Sequence, residues 1–319
     1  MLEEEPHRSV STSAGRSPGR SPRMTFCRPP TPAFVMMSES PLSRNRGLIS
    51  DSEQNRLAGA RVLVAGVGGV GGRVAETLTR LGVGTLVLAD PDTFSVTNLN
   101  RQAAATTATL GRNKAEVVAE LCRGIGTGAI VEVVREGITP DNVEDLVASS
   151  DLVIDGTDYT VPDVGLRLAR TARGASVSVV LAVEIGFGVW HTVIPPDGNR
   201  FERLLGLAPT VTFDDLASRR VSVPLWRWVL SIPAYIGMDV LAHVEQGHLE
   251  APAVAPAVEL SAAVVSTTAI SLLVGRRPPA SAPRVHHFDA RTGKAKTLRP
   301  SRVRFYLSAA IASIGRSVG

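Results

Sequence analysis

The stretch RVLVAGVGGVGG, residues 61–72, constrains this chain more than any other: an apolar run breaks into glycines and continues as VAETLTRLG (74–82) with helical spacing. Gly66, Gly68 and Gly71 form G-x-G-x-x-G between a strand and a helix, with Gly69 and Gly72 beside them. Such a turn lets backbone N–H groups and a helix N-terminus approach phosphate oxygens. TLVLAD (85–90) then reads as a second strand closed by Asp90, whose carboxylate can accept hydrogen bonds from ribose hydroxyls. These features point to a nucleotide site but do not choose between NAD and ATP, and glycines also serve tight turns that hold no ligand.

The alternation continues. Helical spacing marks Arg112–Cys122, Pro140–Ala148 and Asp163–Arg173, and strands are expected at Ile130–Val134, 151–156, 176–184 and 186–194. The fold class is therefore α/β, a Rossmann-like doubly wound and mostly parallel sheet. Past Pro195 the texture changes: 201–250 shows little strand pattern and holds Trp226 and Trp228, which read as packing residues or as a groove for a substrate tail. Residues 256–274 look helical, RVHHFD (284–289) reads as a last strand, and RFYLSAAIASIG (304–315) as a short helix with one apolar face. Residues 1–42, rich in Ser, Pro and Arg without periodicity, are expected to form a disordered tail. Residues 43–195 form the expected nucleotide-binding domain and 196–319 the rest of the same fold.

A hydrophobic content of 44% and 20% charged residues allow a normal buried core over 319 residues. The formal net charge of +4 comes largely from Arg in the tail rather than from a basic stripe, so no nucleic-acid partner is expected. Cys27 and Cys122 are the two cysteines, too few for a disulfide framework or a four-thiolate zinc site, and they suit a reducing cytoplasm. The start, MLEEEPHRSV, carries no apolar signal core. The apolar stretches 223–241 and 253–274 are interrupted by Arg227, Pro233 and Asp239, and by Pro256 and Glu259, so no membrane span is expected.

The choice of chemistry rests on DPDTFSVTNLNRQ (90–102) and GRNK (111–114). Hydride transfer has no evident use for Asn98, Arg101 and Lys114 so close to a ribose-binding strand, whereas expelling pyrophosphate builds negative charge that preorganised cations stabilise. Arg101 can fork onto phosphate oxygens, Lys114 can supply a point charge, and Asn98 can orient a phosphate or a metal-bound water. Each alone could be a surface residue. Asp158, just past the strand DLVIDG, stands where open parallel sheets place their ligands and suits Mg²⁺, with Asp155 as the alternative bearer and a helix N-cap as the plain alternative. The expected nucleotide-binding set is Gly66, Gly68, Gly69, Gly71, Asp90 and Asp92.

Taken in order, RNRGLIS, VLVAGVGGVGG, LGVGTLVLADPD, NLNRQ, GRNKAEV and DLVIDGTD closely resemble the ThiF/MoeB/HesA family, bacterial relatives of ubiquitin-activating E1 enzymes. The likeness runs from about Arg44 to Ile194, with a weaker echo at 255–275. It implies ATP on the glycine turn, Asp90 on the ribose, Asn98, Arg101 and Lys114 on the phosphates, and Asp158 on Mg²⁺. It also implies that Arg44 reaches into a second subunit's site, making a homodimer. The implied reaction adenylates the C-terminal carboxylate of a small ubiquitin-like carrier protein or a precursor peptide, releasing pyrophosphate, and 196–319 would carry an E1-type extension with substrate and dimer elements.

Two departures matter. The paired CxxC motifs of zinc-binding members are missing, and no cysteine follows Cys122, which sits in the helix EVVAELC and reads as a small buried hydrophobe. A self-thioester step is therefore not expected, and the adenylate would pass to an external sulfide, amine or thiol. A non-catalytic nucleotide-binding scaffold and an NAD-dependent dehydrogenase are the competing readings. His286 and His287 would point to opposite faces of a strand, and His191, His243 and His248 show no ligand pattern.

Overall fold

Along β1 (Arg61–Ala65), β2 (Thr85–Ala89) and the fully buried β4 (Leu152–Asp155), apolar residues run almost without interruption. That is the signature of parallel strands covered on both faces. The computed structural model describes residues 40–198, 200–221, 223, 232–278 and 281–299. Residues 1–39 of the expected tail, with Cys27, lie outside the described residues, as do Trp226, Trp228 and the segment 304–315.

With β3 (Ile130–Val134), β5 (Ser178–Ile185), β6 (Gly188–Ile194), β7 (Val285–Asp289) and β8 (Lys294–Leu298), the strands form one eight-stranded sheet in the order β3-β2-β1-β4-β5-β6-β7-β8. The first five are mutually parallel, and β6, β7 and β8 continue antiparallel. The α/β sheet expected from sequence is thus present, parallel over β1 to β5. RVHHFD is not its last strand. β8, KAKTL, has almost no apolar signal because among the described residues it is an edge strand paired with β7 alone, and its lysines suit an edge left open to water.

Side chains alternate between two cores. Val62, Val64, Leu86, Leu88, Leu152, Ile154 and Val180 face one way, toward α1 (Asp51–Gly59), α2 (Gly69–Arg80), α3 (Lys114–Ile125) and the long helix Ala255–Leu273. Leu63, Val87, Val153, Val179 and Leu181 face the other way, toward α4 (Val143–Ala148), α5 (Pro162–Gly174), α6 (Phe201–Leu204), α7 (Phe213–Ala217) and α8 (Met238–Glu245). α4 begins three residues later than its expected start at Pro140.

The long helix, α9, is the one described helix whose length and composition would allow a membrane crossing, yet it packs on α2, β5 and β6. Pro256 stands in its first turn, where a missing N–H costs nothing, and so does not interrupt it. Glu259 reaches Arg73 of α2 at 2.8 Å.

Candidate functional site

Strand order reverses between β1 and β4, and the carboxyl ends of β2, β1, β4 and β5 open there onto a cavity of about 510 Å³. That volume lies within the roughly 300–1,000 Å³ usual for small-molecule sites. Gly66, Gly68 and Gly69 form its floor. Gly66 has φ 78°, and a Cβ on it would come within 2.4 Å of the Gly156 carbonyl oxygen. A Cβ on Gly71 would stand 1.8 Å from the Gly66 oxygen, so helix and strand can approach this closely only through glycine.

Asp90, the residue after β2, is almost wholly buried. Its Oδ2 accepts the Val67 N–H at 2.7 Å and its Oδ1 the Asp92 N–H at 2.9 Å. Burial raises its pKa, against the pull of those two N–H groups and of Lys114. Lys114 opens α3 behind the N-cap Asn113, and its Nζ donates to Asp92 Oδ2 at 2.9 Å. Asn113 Nδ2 donates to the Asp90 and Asp92 carbonyls at 2.9 and 3.2 Å, stitching the two segments together.

Arg101 lines the same cavity from the loop that follows the 3₁₀ turn Val96–Asn98, its Nη1 donating to the Thr97 carbonyl at 2.8 Å and Asn100 Oδ1 at 3.0 Å. Asn98 stands elsewhere: it is buried, its Oδ1 accepts the Ser95 N–H at 3.0 Å, and it supports the Arg101 loop instead of lining the cavity. Gln102, at the end of NLNRQ, does line it. Its Nε2 would lie 3.3 Å from a Cβ on Gly68, and its Oε1 is buried without a partner.

At the end of β4, Asp155 is buried and its Oδ1 accepts the Thr157 hydroxyl at 2.6 Å and the Thr157 N–H at 3.1 Å; burial raises its pKa. Asp158 is exposed to the cavity, with Oδ1 accepting the Thr160 N–H at 2.8 Å. It does not cap α5, whose N-cap is Val161. Of the two acids, Asp158 has the freer oxygens, and a hard carboxylate at the cavity wall fits Mg²⁺, which takes one or two carboxylates besides phosphates and water.

Arg44, exposed in the 3₁₀ turn Ser43–Asn45, does not line its own chain's cavity. Glu184, at the end of β5, does, and no sequence reading singled it out. Its only signal is the acid that interrupts the apolar run SVVLAV.

The family model described as "ThiF family" matches residues 42–304. The chain belongs to the ThiF family.

This ThiF-family chain is 34% identical over 161 residues to the SAMP-activating enzyme E1 of Haloferax volcanii, covering 49% of this chain and 57% of that one. It is 43% identical over 110 residues to the tRNA threonylcarbamoyladenosine dehydratase of Escherichia coli, covering 34% and 41%. To the Escherichia coli molybdopterin-synthase adenylyltransferase it is 26% identical over 249 residues, covering 78% and 86%. The first two matches thus span about half or less of those relatives' lengths. Escherichia coli MccB, solved with ATP, superposes with a TM-score of 0.62 at 17% identity over 84% of this chain and 73% of that one, a likeness of fold.

Proposed function

We propose that this chain is an ATP- and Mg²⁺-dependent adenylyltransferase that activates a carboxylate as its acyl-adenylate. The observation that carries the reading is the gathering of Arg101, Lys114, Asp90 and Asp158 around one glycine turn, from four separate segments. Asp90 would take the ribose and the glycine-turn N–H groups the phosphates. A carboxylate oxygen attacks the α-phosphorus, the bond to the bridging oxygen breaks, and pyrophosphate leaves with the electron pair. Arg101 and Lys114 stabilise charge on the departing oxygens. Lys114 is held by Asp92 at 2.9 Å, which fixes its position before any ligand arrives. Mg²⁺, when bound at Asp158, neutralises phosphate charge.

The acyl substrate in this reading is the C-terminus of a small ubiquitin-like carrier or a precursor peptide, the kinds of substrate named for the relatives that activate SAMP or ThiS and for MccB solved with MccA. Arg44 would complete a second subunit's site in a homodimer. Cys122 is 1% exposed and burial raises its thiol pKa, so it is no acyl acceptor. In this reading the adenylate passes to an external nucleophile. The 43% identity to a tRNA-modifying dehydratase supports a second substrate, the threonyl carboxylate of a modified nucleoside.

Exchange of labelled pyrophosphate into ATP tests both. Purified protein is assayed with Gly-Gly-terminated carriers, short peptides and unfractionated tRNA. Exchange is expected with one class only, and Arg101→Ala should lower it by about 10²- to 10³-fold with an unchanged melting temperature. Full exchange by that variant would overturn the assigned role of Arg101, and no exchange with any class would overturn the adenylation reading.

A further inference from the structure

Glu184 has no part in the chemistry above, yet it stands against the glycine turn. A Cβ on Gly69, the first residue of α2, would lie 3.6 Å from Glu184 Oε1 and 3.2 Å from Val258 of α9. The carboxyl is thus at the positive end of a twelve-residue helix, where N–H groups gather and an anion is stabilised. Among the described residues it takes part in no hydrogen bond or ion pair.

The groups facing it are few. Arg101 attracts it from the loop after Asn98, and Asp158 repels it from the turn after β4. The first turn of α2 brings glycines and Val70, and Arg73, next in line, is occupied by Glu76 and Glu259. α9 offers Val258 against the same glycine, and β6 pairs Val189 with Glu184. At the end of β4, Asp155 is capped by Thr157, while Asp90, Asp92 and Lys114 are bonded to one another across the cavity. Burial raises the Glu184 carboxyl to about 7, against the attraction of Arg101 and helped by Asp158. It is therefore neutral in a large share of molecules near neutral pH.

A phosphate and a carboxylate cannot share one helix end at little cost, since like charges so close disfavour joint ionisation. We propose that Glu184 is a proton-carrying member of the anion subsite: its neutral carboxyl donates an O–H to the ligand oxygen that lands on the glycine turn, so that binding takes up a proton. This rests on the ATP reading and deepens it. An anionic ligand favours the neutral carboxyl further. Affinity then falls as pH rises above the free value, by about tenfold per pH unit in the limit where the proton is obligatory.

Isothermal titration of the full-length protein with ATP and Mg²⁺ tests this, at pH 8 in two buffers of different ionisation enthalpy and by Kd from pH 6.5 to 8.5. Wild type should take up close to one proton and weaken by about tenfold per unit above pH 7.5. Glu184→Gln, neutral and still a donor, should take up none and keep a flat Kd; the nucleotide's own titration is common to both proteins. ATP bound by wild type without proton uptake, or with a slope that Glu184→Gln shares, overturns the inference alone. No ATP binding by either protein overturns the adenylation reading with it.

Discussion

The parallel half of the sheet and its antiparallel wing bury polar groups for different ends. Around β1, β2 and β4, buried acids are tied to backbone N–H groups and still face the cavity: Asp90 holds Val67 and Asp92, and Asp155 holds Thr157. In the wing, buried polar groups serve packing. His287 stacks on Trp190 at 4.6 Å between ring centroids, and its register places His191 and His286 together on the opposite face, stacked at 5.4 Å. The polar groups that line the cavity concentrate where strand order reverses, and Glu184 stands at the seam. Substitutions in the first region should therefore change nucleotide binding, and substitutions in the second only stability.

The largest effect should come from Gly71→Ala. The added Cβ meets backbone oxygen at 1.8 Å, which no side-chain rotation relieves, so a loss of about 3 kcal/mol or more is expected together with loss of ATP binding. Gly124→Ala on α3, where a Cβ meets nothing within 4 Å, should instead gain about 0.5–1 kcal/mol and leave binding intact. Urea denaturation with ATP titration measures both. Equal effects would show that the glycine turn is not the tight point.

Second is His191. Burial, with His286 adding, lowers its pKa to about 4, against 6.5 in a model peptide. Between those values the unfolded chain binds the proton and the fold does not, so stability falls as pH drops from about 6.5 toward about 4. The slope approaches about 1.4 kcal/mol per pH unit, roughly 3 kcal/mol over the window. His191→Leu should flatten that part of the curve without changing ATP affinity at pH 7. An unchanged acid slope would show that another group carries it.

Third, Asp90→Asn should cost about 1–3 kcal/mol, because one of its two backbone N–H donors, the buried one of Val67 or the half-buried one of Asp92, loses its acceptor. Asp158→Asn, at an exposed acid, should leave stability within about 0.5 kcal/mol and weaken only the Mg²⁺-dependent part of ATP binding. Thermal melts with and without the metal distinguish them.

The same contrast explains what the sequence discloses. The cavity positions of Asp90 and Asp158 were legible because each closely follows a strand, whereas Arg101 and Lys114, 12 and 25 residues past the end of β2 (101 − 89, 114 − 89), stood out by residue type in NLNRQ and GRNK. Glu184 was not, since only the crossing from β4 through α5 to β5 brings it beside Gly69. Asn98 was legible as polar but not as a support for its own loop, because a carboxamide at the end of a 3₁₀ turn can serve either purpose. The cross-strand pairing of His191 with His286 depends on a register set 95 residues apart (286 − 191). β8 escaped because an edge strand needs no apolar alternation.

The last expected effect lies wholly in the wing. The Tyr235 hydroxyl donates to Asp289 Oδ2 at 2.7 Å and accepts the Phe187 N–H at 2.8 Å, tying the β5–β6 turn to the end of β7. Tyr235→Phe removes both bonds and should cost about 1–2 kcal/mol at pH 7, with ATP affinity unchanged. Burial pushes the Asp289 carboxyl up, but the Tyr235 hydroxyl and the Thr292 N–H and hydroxyl outweigh it and hold it below the usual carboxylate range. A depressed carboxylate stabilises above its unfolded value, near 3.9, and the contribution is lost as pH falls through the folded value. The gap between wild type and Tyr235→Phe should therefore narrow in acid and stay constant from pH 5 to 8. A variant that lost ATP affinity instead would show that the β5–β6 turn communicates with Glu184 at the cavity end of the same strand, and the division between the two regions would fail there.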